Sequence, residues 1–435
     1  MATNTNFTKQ ETILNEMLVE EFSPSNLHAN QVSVKTAGNT NYDQTGVTER
    51  RNVELMTTTS TGRDITGQDK NITALTVPVS LSDDDIINVP FTLNTSQLKD
   101  KSYLRRQAKA AIKKLSNAID LRTAGKIANE AGIVLTHTGE FDDYDTLARA
   151  ETEFRQREID TTVNRCINLN PRASRAAASV LAGRESGIDQ KSAYEASKVP
   201  AVAGFSTHAA NIIANIAGNA TTGLTVDGAD QLLIPVAYNS TTTSNPAADS
   251  RYQTLTVSSS AALAVGDSFT IAGVNSIGMV SKQDSGARQS FRVISKPSAT
   301  TVQISPAIIP ADATVGGSIT ADNLQDVLAY ANVTSAPADN AAITILNTAN
   351  AQVNTFFAEE AVELFTSPLM DDELSASMAV NQEATDSGIS ILFARSSSID
   401  ALTVKYRLSC KVSAHVLDPC RVGVMLPNQG ASFGG

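Results

Sequence analysis

Residues 96–131 read SQLKDKSYLRRQAKAAIKKLSNAIDLRTAGKIANEA, and the rest of the chain is best read outward from them. Leu104, Ala108, Ala111, Ile112, Leu115 and Ile119 recur at spacings of three and four, which marks one face of an α-helix. Ser96 can cap its start, and Gly132 can end it. At about 1.5 Å per residue this helix would span about 54 Å, more than an ordinary globular helix. Its charge is lopsided. Lys99, Lys101, Arg105, Arg106, Lys109, Lys113, Lys114, Arg122 and Lys126 face only Asp100, Asp120 and Glu130, in a chain of net charge −11. Such a basic helix can meet nucleic acid through phosphates, or pair with acids of its own or an adjacent subunit.

Upstream, residues 8–22 form a short amphipathic segment. Ile13, Leu14, Met17 and Leu18 sit at helical spacing among Glu11, Glu16, Glu20 and Glu21. Residues 23–95 are rich in Thr, Asn and Asp, with strand-like alternation over 74–79 and 87–91. Ahead of these stretches, roughly 48–72 is polar, with two Gly and no core-sized apolar cluster. It predicts a long hairpin or extended loop, and a loop of that length usually works outside its own domain.

Downstream, the pattern predicts helices over 142–159, capped by Asp142 or Asp143 with Leu147 and Phe154 inward, and over 171–182, from Pro171 to a stop at Gly183. Composition then shifts: no Glu occurs between Glu195 and Glu359. Within that gap lie β-branched runs at 223–226, 232–237, 252–257, 268–271, 290–294 and 301–304, separated by turn residues. Spacing near ten residues predicts a small all-β barrel or sandwich over 223–338. Mixed strands follow, ending near Val422–Leu426.

The 435 residues are 41% apolar and 18% charged, enough for a sizeable core and for roughly three domains. An acidic chain is not, as a whole, a nucleic-acid binder. With no Trp and 5% aromatics it does not suggest a sugar-stacking module, and three Cys exclude a disulfide scaffold. The N-terminus predicts no signal peptide, and no apolar run predicts a transmembrane helix.

Signatures of catalysis are missing: no nucleophile elbow, phosphate loop, zinc-protease helix or paired Cys-x-x-Cys. Cys410, His415, Asp418 and Cys420 lie close in sequence but match no metal-site spacing, so incidental thiols are the simpler reading. Asp83-Asp84-Asp85 reads as a solvated turn before it reads as a cation site. Nothing positions His28, His137, His208 or His415 for catalysis. What remains is a structural chain with an arm, a loop, an overlong basic helix and a β insert. Arms and loops that cannot pack on their own chain suggest assembly with copies of itself.

Three stretches then carry a resemblance. They are Tyr103-Leu104-Arg105-Arg106 through Lys113-Lys114-Leu115-Ser116-Asn117; Gly266–Val274, echoed by Thr222–Ala229; and Tyr330–Thr334 with Ile343–Asn347 and Asn354–Val362. Val422–Pro427 also fits. In order and spacing the chain resembles the major capsid (coat) proteins of short-tailed phages of the P22 type. The resemblance implies an α+β capsid fold of the Hong Kong 97 type with an inserted Greek-key β-barrel, the I-domain. It places an N-terminal arm at 1–47, an E-loop at 48–80, a P domain at 81–141 with the spine helix 96–131, the first part of an A domain at 142–222, the I-domain at 223–338 and the remainder of the A and P domains at 339–435.

The same resemblance implies pentamers and hexamers of the chain in an icosahedral shell, a scaffolding protein, a portal, expansion on packaging, and double-stranded DNA met through non-specific contacts. It implies no enzyme, cofactor, metal or membrane, and a place in the virion capsid after assembly in the host bacterial cytoplasm. Glu11, Glu16, Glu20 and Glu21 become candidate scaffold contacts. Arg105, Arg106, Lys109, Lys113 and Lys114 become an interior basic surface. Asp249 and Arg251, the only charges of the loop Tyr238–Arg251, become the ions available for an intersubunit contact. Lys70 and Asn71 are not taken as a crosslink, because the P22 type forms none. A β-rich fibre or adhesin is the alternative, but it calls for repeats that this sequence lacks; a hydrolase built on a Ser, His208 and an Asp is a third.

Overall fold

The computed structural model describes residues 22, 28–37, 47–59, 62–63, 72–183, 193, 199, 201–210, 212–238, 249–369, 379–385, 387–398 and 403–434. Their fold is mixed α+β and divides into two compact units. The first draws on 1–49, 79–124 and 363–415, the second on 50–78, 125–362 and 416–435. No helix among the described residues is long and apolar enough to cross a membrane.

In the first unit the strand Thr403–Val416 runs antiparallel to both Ile86–Asn94 and Ser390–Ser398. Val362–Ser367 also pairs with it, and Ser33–Thr36 adds in parallel beyond. Alternation turns Phe91, Tyr406 and Phe393 to one face, where their rings stack at 5.2 and 5.6 Å between centroids. The long helix runs Lys101–Glu130, 30 residues and about 45 Å. Its start differs from the expected Ser96. Thr95–Leu98 is a separate turn capped by Asn94. Asp100 then opens the long helix, its Oδ1 accepting from Ser102 N at 2.9 Å and Ser102 Oγ at 2.7 Å. Those bonds hold the Asp100 carboxyl below its usual range. Ala108, Ile112, Leu115 and Ile119 are buried as the spacing requires. The side chain of Leu104 lies outside the described residues.

Gly132 follows the helix for a different reason from a left-handed cap. Its N–H donates to Pro419 O at 2.9 Å, and a Cβ there would lie 2.6 Å from that same oxygen. The glycine is required by close backbone approach. The second unit then builds a five-stranded sheet in the order Ile133–Thr136, Val422–Leu426, Asn354–Ala358, Arg165–Leu169, Ser206–Ala209. Helix Tyr144–Gln156 is capped by Asp143, whose Oδ1 accepts from Thr146 N at 2.8 Å. Helix Pro171–Ala182 is capped by Asn170, and Gly183 ends it with φ −77°, so this stop uses no left-handed residue.

The β insert is a six-stranded sheet in the order Gln253–Thr256, Thr301–Ser305, Asp284–Ser295, Ser268–Ile277, Ala342–Ile345, Leu224–Thr225. A bridge between Val226 and Val257 joins its two outer strands. The closed order departs from sequence order, as a Greek key does. Leu224, Val226, Leu255, Phe269, Phe291, Val293, Val302 and Ile343 fill its core. Two expectations change. The last strand lies at 342–345, beyond the 338 boundary. Residues 232–237 form no strand; instead Leu233 and Ile234 pack on Ile277, Ile309 and Val327. A fragment of residues 217–347 is expected to give strand-type circular dichroism and one cooperative melt, whereas one ending at 338 loses the strand that Phe269–Ile271 pairs with. Equal melts of the two fragments would contradict this topology.

Candidate assembly surfaces

The basic helix divides by charge environment. Toward its C-terminal end the cations are engaged: Arg122 donates to Asp84 O at 3.1 Å and Asp85 O at 3.2 Å, and Lys126 pairs with Glu130 at 2.5 Å. Toward the other end, Arg105, Arg106, Lys109, Lys113 and Lys114 are exposed. Arg106 lies 5.8 Å from the Tyr103 ring. Lys113 and Lys114 make no ion pair among the described residues. Asp120 is buried, accepting from His28 N at 3.1 Å, which ties residue 28 to the helix. Glu11, Glu16, Glu20 and Glu21 lie outside the described residues.

The joint where the barrel joins its unit is a buried polar network. Asn347 Nδ2 donates to Asp267 Oδ1 at 2.8 Å and to Ala217 O at 2.9 Å, while its Oδ1 accepts from Ser268 N at 2.9 Å. Asn219 Nδ2 donates to Asp267 Oδ2 at 2.6 Å. The chain entering at 217–219 and leaving at 347 is thus locked through one carboxylate. Beside it, fully buried Arg292 donates from Nη1 to Ser268 Oγ at 2.5 Å and from Nη2 to Ala128 O of the helix. Burial lowers its guanidinium to about 10, with Asp267 opposing the shift. Ser290 Oγ and Gln289 Nε2 donate to Gly132 O at 2.9 and 3.2 Å. Donors from one barrel strand therefore hold the C-terminal end of the long helix, whose last carbonyls lack helical partners. None of this was expected from sequence.

The reading of Asp249 and Arg251 as ions for a neighbouring subunit needs correction. Arg251 is buried at 8% exposure and spent within its own chain. Its Nη2 meets Asp249 Oδ2 at 2.7 Å, its Nη1 donates to Val416 O at 2.5 Å, and its Nη2 reaches Pro78 O at 3.3 Å. Burial is the largest single influence and pulls its pKa down, but the bond to Asp249 together with the nearby Tyr252, Asp249 and Glu130 holds it above the usual value. Residues 239–248 of the loop lie outside the described residues.

The loop at 48–80 is a hairpin of strands Val47–Asn52 and Thr76–Leu81. The returning strand is anchored in its own chain: Leu75, Val77, Val79 and Leu81 are buried. Thr73 N and Oγ1 donate to the Asp326 carboxylate, both at 2.7 Å, and Arg50 lies 3.5 Å from the Tyr238 ring centroid. Farther out, Leu55 is 61% exposed, and Thr57, Thr58, Thr59, Gly62 and Arg63 are exposed.

Asp83-Asp84-Asp85 is a one-turn helix whose cations come from the protein: Lys411 Nζ reaches Asp83 Oδ1 at 2.8 Å, and Arg122 lies 3.7 Å from Asp85 Oδ1. Cys166, Cys410 and Cys420 are buried thiols, pushed up to about 11, 12 and 12 by burial. His415 Nε2 lies 2.8 Å from Ser80 O. Among the described residues no three His, Cys, Asp or Glu side chains are grouped to hold a metal ion.

Among solved structures, the CUS-3 coat protein I-domain is 42% identical, covering 29% of this chain and 97% of its own, with a TM-score of 0.21. A chain from Mycobacterium phage Che8 is 10% identical over 92% of this chain and 90% of its own, with a TM-score of 0.41. One from the capsid of cyanophage P-SCSP1u is 11% identical over 92% and 88%, with a TM-score of 0.42. The family described as "P22 coat protein - gene protein 5" matches residues 1–428. By that match over nearly its whole length, the chain belongs to the P22 coat protein family and is a major capsid protein, a structural subunit of an icosahedral phage shell.

Proposed function

We propose that the chain builds its shell as five- and six-membered rings, assembled with a scaffolding protein around a portal in the host cytoplasm, and that the shell expands as DNA enters. The observation that carries the self-assembly part is the hairpin. Its base is tied into the chain by Thr73, Asp326 and Val77, yet Leu55 and Thr57–Thr59 are exposed. An exposed apolar side chain and a run of exposed threonines beyond an anchored base suit pairing with a neighbouring subunit.

The acids Glu11, Glu16, Glu20 and Glu21 would offer carboxylates to a basic scaffolding segment. Exposed pairs of that kind contribute at most about 1 kcal/mol each and weaken with salt. Arg105, Arg106, Lys109, Lys113 and Lys114 would meet packaged DNA through phosphates alone, weakly per subunit and without reading bases.

Deleting residues 57–71 leaves the Glu54–Arg421 pair and the returning strand in place. The shortened chain is expected to stay folded, with an unchanged melt, and to remain monomeric under conditions in which the parent forms shells. Normal shells from the deletion protein would overturn this role for the hairpin.

A further inference from the structure

We propose that a cavity at the base of the hairpin binds a small amphipathic monocarboxylate, its apolar part filling the cavity and its carboxylate meeting the Lys282 amine. Nothing in this site depends on shell formation. The cavity measures about 120 Å³, and its walls come from segments far apart in sequence. Val53, Leu75 and Val77 belong to the hairpin, Met279 and Ile309 lie on the barrel side, and Leu417 comes from the returning chain. Leu75, Val77 and Ile309 are buried. An apolar cavity of about 150 Å³ takes up benzene, so this one suits a chain or ring of about six carbons.

The charges that line the cavity select the sign of its occupant. Arg251 is paired with Asp249 at 2.7 Å. Arg421 is paired with Asp418 at 3.2 Å and with Glu54, so neither lining acid is left for a cationic ligand. Lys282 is the lining cation that makes no ion pair among the described residues; its Nζ donates to Ala331 O at 3.0 Å. The turn that carries it is held in place. Lys282 N donates to Gly278 O at 3.1 Å, and Glu158 Oε2 accepts from Val280 N at 2.9 Å and Ser281 N at 2.7 Å. Burial lowers the Lys282 amine to about 8, against the opposing influence of Cys420 and Glu158. At pH 7 the amine is therefore still charged, yet short of solvent. A carboxylate on an apolar stem satisfies the charge and the cavity together; a neutral or cationic stem satisfies only the cavity.

The test titrates the full, unassembled chain with hexanoate, acetate, hexan-1-ol and hexylamine by calorimetry. Hexanoate is expected to bind at least about tenfold more tightly than each of the other three. Methyl NMR locates it: of the seven methionines, Met56 and Met279 line the cavity, and their signals are expected to shift with hexanoate while the others stay. Lys282→Met keeps an apolar stem and removes the amine. It is expected to weaken hexanoate at least about tenfold and to leave hexan-1-ol within about twofold. Hexanoate that binds no better than hexan-1-ol would overturn the site, as would shifts that miss Met56 and Met279. A folded Lys282→Met protein with parental hexanoate affinity would overturn the role of the amine. Should that variant fail to fold, the four ligands on the parent chain still decide the matter.

Discussion

Replacing Arg292 by Met is expected to destabilise the barrel by about 3 kcal/mol, the range for breaking a buried, hydrogen-bonded charge. Arg292 is fully buried, and its guanidinium bridges Ser268 Oγ and the Ala128 carbonyl, with the Asp267 carboxylate as the charge it opposes. Met fills similar volume but donates nothing. It leaves the Ala128 carbonyl without this donor and Asp267 without its counter-charge, although Asn219, Asn347 and the Ala264 N–H still bond that carboxylate. The cost should be larger in the whole chain than in the fragment 217–347, because only the whole chain contains Ala128. Urea unfolding of both proteins, with and without the substitution, measures the difference. A loss equal in the two would mean that the contact with the helix contributes nothing.

Gly423→Ala is the packing counterpart, expected to cost about 3 kcal/mol, the upper end for overpacking. Gly423 lies in Val422–Leu426, directly opposite Phe356 in the antiparallel register. A Cβ at 423 would overlap the Cζ edge of the Phe356 ring. That ring cannot swing away: it is fully buried, 5.6 Å from Phe154 and 6.2 Å from Phe205, with Arg165 over both neighbours at 5.2 and 5.7 Å. Soluble yield and melting of Gly423→Ala check the expectation, and pairing it with Phe356→Leu should recover part of the loss by vacating the ring's far edge. Wild-type stability in Gly423→Ala would mean that the sheet yields where close packing says it cannot.

Features set by local periodicity were legible in the sequence. The buried stripe Ala108–Ile119, the Pro171 start and the Asp143 cap all depend on residues within two turns of one another. What depends on distant partners was hidden. Asp267 and Asn347 are 80 residues apart, and neither sits in a motif. Arg251 looked available because two charges in a Ser/Thr-rich loop suggest solvent, yet its partners Val416 O and Pro78 O are backbone atoms with no sequence signature. Leu233 and Ile234 are β-branched or apolar and read as a strand, but they spend that character on a side cluster with Ile309. The barrel's last strand falls beyond the expected boundary because that boundary follows the chain's composition, whereas the strand itself is defined by pairing with Phe269–Ile271. The start of the long helix slipped because Asp100 turns its carboxylate back onto Ser102, a competition that helical periodicity does not register.

As a major capsid protein, this chain is expected to close into a shell by itself. Electron microscopy of the purified full-length protein tests it most directly. Closed, roughly isometric particles whose images average with icosahedral symmetry are expected. Fibres, or a population that stays monomeric at every concentration and salt tried, would contradict it.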